Sequence, residues 1–159
     1  MNRQTTLDLL RRGEEDLRRY MNEIPADRLH WHEPGEWSAH ETLAHIAEIE
    51  RHVFIVRMQR VVDDDRPILK WFDELAWHRE HYDAAQPVAD LLADFAGTRQ
   101  QEIHLLETQP DWGRWGIHER SQKRYSLDFL SQYALHHTWE HLNQIANTQI
   151  AYELTHQEG

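Results

Sequence analysis

Cysteine is absent from this 159-residue chain. Disulfides, thiolate zinc sites, iron–sulfur clusters and a cysteine nucleophile are thereby excluded. Breakers are scarce, with 6 glycines and 5 prolines, and no alternating run of β-branched residues suggests a strand. No stretch of 18 apolar residues occurs, so no spanning helix is expected. Positive charge is also short: 17 Lys and Arg stand against 28 Asp and Glu, a net charge of −11. So acidic a chain is a poor ligand for a phosphate backbone, and no nucleic-acid partner is expected. The opening MNRQTTLDLLRRGEEDL has no apolar signal core, so a soluble cytoplasmic protein without membrane contact is the expectation. Length predicts one domain over residues 1–159.

Histidine and tryptophan are abundant instead, at 13 and 7 residues. Histidine is the commonest metal ligand and the side chain that titrates near neutrality.

Apolar residues recur at three and four, which predicts helices. A first segment runs from about Thr6 to Met21, ended by Asn22 and Pro25. A second opens with Ser38-Ala39-His40-Glu41, a capping box with Glu41 as the reciprocal partner. Its face is Leu43, Ile46, Ala47, Val53, Phe54, Met58 and Val61, and Asp63–Pro67 stop it. Residues 66–86 form a long connection with a short helix near Trp71–Tyr82. A third segment starts at Pro87, placed at the first helical position, with Val88, Leu91, Leu92, Phe95, Leu105 and Leu106 on its face. Residues 110–116 are read as a loop, and a fourth segment runs from Ser126 to Tyr152. The fold class is therefore all-α: a four-helix bundle whose long connection lets helices two and three lie parallel.

The fourth segment carries the chemistry. Its inward stripe is Leu127, Leu130, Ala134, His137, His141, Ile145, Thr148 and Tyr152. His137 and His141 stand where leucine is expected, one turn apart on one face, and both rings can reach a single ion. With 13 histidines in 159 residues, chance alone supplies about one such pair, so the seam position carries the argument. The alternative is two core histidines bonded to Gln144, Glu48 or backbone. A third ligand should come from a facing helix, and His45 is the best placed. Glu48 could hold the His45 ring or act as the catalytic base. His78 and His81 form a weaker candidate pair on the connecting helix. His137-Thr138-Trp139-Glu140-His141 matches the H-x-x-E-H protease string, but Glu140 is rotated about 100° off the seam. A di-iron carboxylate bundle needs Glu-x-x-His pairs on seams, which are lacking. Trp71 and Trp77 are read as pocket walls or core. The basic stretch His118–Tyr125 is read as a solvated loop or an anion contact.

Trp37-Ser38, Glu41, Leu43-Ala44-His45-Ile46-Ala47-Glu48, the crossing with Asp73-Glu74, Trp77 and Tyr82, Arg99, Trp112 and Arg114, and His137-x-x-x-His141 with Gln144-Ile145 follow in an order that resembles the DinB-like family of metal-dependent enzymes. The resemblance implies an up-down-down-up bundle, with a divalent metal, zinc or nickel, on His45, His137 and His141. It also implies a small-molecule substrate, frequent homodimers, and relatives that use an external low-molecular-weight thiol such as bacillithiol, mycothiol or glutathione. Three neutral ligands leave an open coordination position, the pattern of a catalytic site. The expected function is a metal-dependent thiol S-transferase. The alternatives are a metal-dependent hydrolase and, in another class, a non-catalytic binding bundle.

Overall fold

A computed structural model describes residues 1–157. Helix α1 (Arg3–Glu23) is capped by Asn2, whose side chain accepts from Gln4 N, and it ends at Ile24, ahead of Pro25. The Asn22 stop is overridden by two residues, because the helix continues through Asn22 and Glu23 before the proline.

The second bundle helix is continuous but not regular. Helix α2 (Ala39–Ile49) passes through a π turn (Glu50–Phe54) into helix α3 (Ile55–Asp63). Ser38 caps it by accepting from Glu41 N at 3.1 Å. Such π turns insert one residue into the helical ladder and often lie at functional sites. Here the turn begins with Glu50, which is fully buried.

The crossing contains strand β1 (Ile68–Leu69) and helix α4 (Glu74–His81), capped by Asp73. Helix α5 (Val88–Thr108) follows, with Pro87 as its N-cap rather than its first residue. Strands β2 (Trp115–His118) and β3 (Arg124–Ser126) lead into helix α6 (Leu127–Thr155), whose cap Ser126 accepts from Phe129 N at 3.0 Å.

The strands correct the strandless reading. β1 pairs parallel with β2, with Ile68 opposite Ile117, and β2 pairs antiparallel with β3. Runs of two to four residues are too short to show a period of two. Gly116 is required there, because a Cβ would sit 2.7 Å from Pro67 O and 2.8 Å from Leu69 Cγ.

Two apolar clusters reveal the helix directions. One holds Leu7 and Leu10, Ile49 to Val61, Ile103 to Leu106, and Leu127 to Leu135. The other holds Leu17 and Met21, Ala39 to Ala47, Leu91 to Phe95, and Ile145. The start of α1, the end of α3, the end of α5 and the start of α6 therefore share one end of the bundle. The order is up-down-down-up, with α2–α3 parallel to α5 as the long connection requires. Between the clusters lies a buried polar layer containing His45, Glu50, Arg99, Glu102, His137 and Thr138. No described helix is long and apolar enough to cross a membrane.

Candidate metal centre

The polar layer has two halves. In one, the buried Arg99 guanidinium is fully engaged. Nε donates to Glu50 at 2.6 Å and to Glu102 at 3.1 Å, Nη1 to Leu10 O at 3.0 Å and Nη2 to Thr138 Oγ1 at 2.8 Å. Burial and the neighbouring Glu50 push the Glu102 carboxyl well above the usual carboxylate range, against the pull of Arg99. One guanidinium thus serves two carboxyls. The sequence hides this cluster, but the α5 stripe has a gap between Phe95 and Leu105 that Arg99 and Glu102 fill. Glu50 is four residues after Ile46 and three before Val53, an inward place.

In the other half, α2 contributes His45 and α6 contributes His137 and His141. One ring nitrogen from each lies within 4.8 Å of the other two. Ring centroids are 5.3 Å apart for His45 and His137, 4.7 Å for His45 and His141, and 4.4 Å for His137 and His141. Neither nitrogen of His137 has a hydrogen-bond partner, nor does His45 Nδ1. Buried donors and acceptors are costly to leave unpaired, so these atoms fit a group bound from outside. Burial, then the neighbouring His141 and His78, lowers the His45 pKa to about 3. Burial, then His141, His45 and Arg99, lowers that of His137 to about 2. Both rings are therefore neutral, the form that ligates metal. His141 Nδ1 meets Gln144 Oε1 at 2.8 Å, which leaves Nε2 for the cluster, the usual outer support of a metal histidine.

The three rings open into a cleft of about 480 Å³. Its lining includes Trp37, Leu75 and Tyr133 as apolar walls and Glu36, Glu74 and Glu140 as acids. Trp37 comes after Gly35, whose φ of 84° makes the turn. Glu74, the first residue of α4, places Oε2 3.8 Å from His45 Nε2. Burial raises its pKa, opposed by Arg57 and aided by Glu140. Its only sequence signal is its place in the family pattern.

Glu48 is engaged by His78. Its carboxylate accepts from His78 Nδ1 at 3.2 Å and is not part of the cleft lining. Glu41 is not a reciprocal cap either; it takes His78 Nε2 at 3.0 Å. His78 is buried, stacked at 4.5 Å on Trp37 and 5.0 Å on Tyr82. His45, Glu48 and His78 also form a second close donor group. His81 turns the other way, stacking on Trp77 at 3.8 Å, so the His78–His81 pairing is not formed. Trp71 lies under Arg120 at 3.3 Å, and neither it nor Trp77 lines the cleft. The basic stretch belongs to the β2–β3 hairpin, and residues 119–123 form its exposed turn, as a solvated loop would. His136 is exposed, and Glu140 reaches the cleft only at its rim.

Residues 9–145 match the family model of the DinB superfamily. The chain belongs to the DinB superfamily. No curated protein sequence matches the chain. Among solved structures, this DinB chain is similar to YfiT from Bacillus subtilis, with a TM-score of 0.83 and 20% identity over 94% of this chain and 87% of that one. YfiT is described as a probable metal-dependent hydrolase with an unusual four-helix bundle topology. The likeness extends the four-helix fold to this chain. The cluster His45, His137 and His141 is able to bind a metal.

Proposed function

We propose that this DinB protein is a metal-dependent hydrolase of a small molecule, with His45, His137 and His141 as ligands of one divalent ion. The observation that carries the reading is the meeting of three imidazoles, several of their nitrogens unpartnered, at the floor of an open cleft. An all-nitrogen donor set suits zinc and also nickel. Such an ion, when bound, supplies Lewis acidity, polarising a carbonyl and bringing the pKa of water to about 7.

The remaining tasks fall to the chain. Gln144 fixes the His141 ring through Nδ1. Glu74 takes and returns a proton at Oε2; its raised pKa moves it toward the range of a general base working near neutrality. It takes this role in place of Glu48, which His78 engages. Trp37, Leu75 and Tyr133 wall the cleft around a substrate and keep water from it.

Thiol S-transfer is the second reading, and it rests on the family pattern together with the open centre. The rim argues against it for two thiols: bacillithiol and glutathione carry carboxylates, which Glu36, Glu74 and Glu140 repel.

The test has two parts. Metal content by mass spectrometry should give about one divalent ion per chain in the parent and none in His45→Ala. A panel of esters and amides is then assayed with and without each thiol. Hydrolysis without thiol, lost in His45→Ala and Glu74→Gln, is the expected result. Turnover that needs an added thiol would establish the transferase instead. A parent chain that stays metal-free in excess zinc and nickel would make a binding bundle the better reading.

A further inference from the structure

The cleft is lined by three carboxyl groups, those of Glu36, Glu74 and Glu140, and by no lysine or arginine. The basic nitrogen nearest the Glu74 carboxyl is that of His45, at 3.8 Å, and Glu140 has His136 at 3.9 Å. Arg57, the guanidinium that acts on Glu74, is turned to Lys70 O at 3.0 Å and His118 Nε2 at 3.4 Å. The three carboxyl groups therefore meet no lysine or arginine within the cleft lining. They do not stand alone: the same cavity is floored by His137, 6% exposed with both ring nitrogens unpartnered.

The walls suit the same guest. The Trp37 indole is fixed by stacking on His78 at 4.5 Å, and the Tyr133 ring packs edge-on to Phe54 at 5.4 Å. Both line the cleft. Aromatic faces attract cations through the ring quadrupole, most strongly where water is partly excluded. Leu75 adds an apolar surface for a carbon stem. The net charge of −11 further raises the encounter rate of a cation.

We infer that the cleft selects a small organic cation: an ammonium-bearing substrate whose charge lies among Glu36, Glu140 and the Trp37 and Tyr133 faces, with its apolar stem toward the histidines. The placement of the reacting bond over the three imidazoles rests on the hydrolase reading; the binding of the cation does not.

Choline and 3,3-dimethylbutan-1-ol are the probes, identical in shape and differing in a positive nitrogen for a carbon. Each is titrated by calorimetry into the zinc-loaded full chain. Choline should bind about tenfold more tightly than the neutral isostere. Glu36→Gln and Glu140→Gln, both at exposed positions, should each weaken choline about two- to fivefold and leave the isostere unchanged. Glu15→Gln, on α1 outside the cleft, removes the same charge and should change neither. Equal affinity of the two probes, no binding of choline, or an equal loss in Glu15→Gln would overturn the inference. The two readings fail separately. Choline binding without any hydrolysis sinks the hydrolase alone, and hydrolysis of uncharged esters without choline binding sinks the cation site alone.

Discussion

Thr138 and His137 are neighbours on α6, yet they close two buried polar clusters of opposite kind. Thr138 completes the Arg99 network, in which every guanidinium nitrogen has a protein partner. His137 completes a cluster whose buried nitrogens have none. Both occupy the layer between the two apolar clusters, so burial does not separate them. Satisfaction does. A polar group paired within the chain holds the fold, whereas one left open costs stability until a ligand arrives.

Replacing one member of each cluster breaks the comparison most directly. Arg99→Leu leaves Glu50 and Glu102 buried around no cation, and should cost about 3–5 kcal/mol. Urea unfolding would show it, and a loss below about 1 kcal/mol would mean the network is not structural. His137→Leu should act in the reverse sense on the metal-free chain. It puts an apolar side chain on the leucine seam and removes an unpaired imidazole, raising stability by about 1 kcal/mol. The same variant should bind no metal. A His137→Leu chain destabilised as badly as Arg99→Leu would place His137 among the structural residues.

Gln144→Ala sharpens the comparison from the ligand side. Gln144 touches a candidate ligand and belongs to neither cluster. Its loss should weaken zinc about 10–100-fold with little change in unfolding of the metal-free chain. An unchanged zinc affinity would show that His141 needs no support.

How much of this was legible follows from what sequence periodicity reports. Periodicity marks which residues face inward, so His137 and His141 stood out as histidines on a leucine seam, and His45 followed from the facing helix. The long connection with few breakers likewise implied parallel second and third helices. Periodicity is silent on what an inward polar residue meets. Glu50, Arg99 and Glu102 interrupt their stripes, but only the packing of α5 against the π turn joins them. Glu41 and Glu48 point to α2 neighbours in the sequence, and the fold lays α4 over them instead. Trp37 and Glu74 enter the cleft from the loop before α2 and the start of α4, segments with no period to read. The short strands were invisible for the same reason.

Acid provides the next test, smaller because it acts through protons. In the folded metal-free chain His45 and His137 hold pKa values of about 3 and about 2, while the unfolded chain titrates near 6.5. Between these values the unfolded state binds protons that the folded state refuses. The contribution of these two rings is therefore complete above about pH 6.5 and falls as the pH drops toward 3. His137→Leu removes one of the two protons, so its stability should fall with a shallower slope. Parallel slopes in urea midpoints would show that the His137 ring is not buried neutral.

His78 should give the smallest effect and the opposite sign. Burial opposes its charge, but hydrogen bonds to Glu48 and Glu41 outweigh this and raise its pKa. Trp37 and Tyr82 sandwich the ring, and His45 lies 6.2 Å away. A raised folded pKa means that the folded state keeps a proton the unfolded chain has released. The stabilisation is thus complete below about pH 6.5 and is lost as the pH rises through the folded value. His78→Gln keeps size and hydrogen bonding but cannot be charged. The parent should exceed it by about 1 kcal/mol near pH 6, with the gap closing on the alkaline side. Taking the difference between the two chains cancels the His45 and His137 titrations common to both. The consequence reaches the cleft, because this bridge ties α4 to α2 and α4 carries Glu74. Amide hydrogen exchange in α4 should therefore quicken in His78→Gln while α5 and α6 stay protected. A gap independent of pH, with α4 exchange unchanged, would mean that stacking between Trp37 and Tyr82, rather than charge, seats this helix.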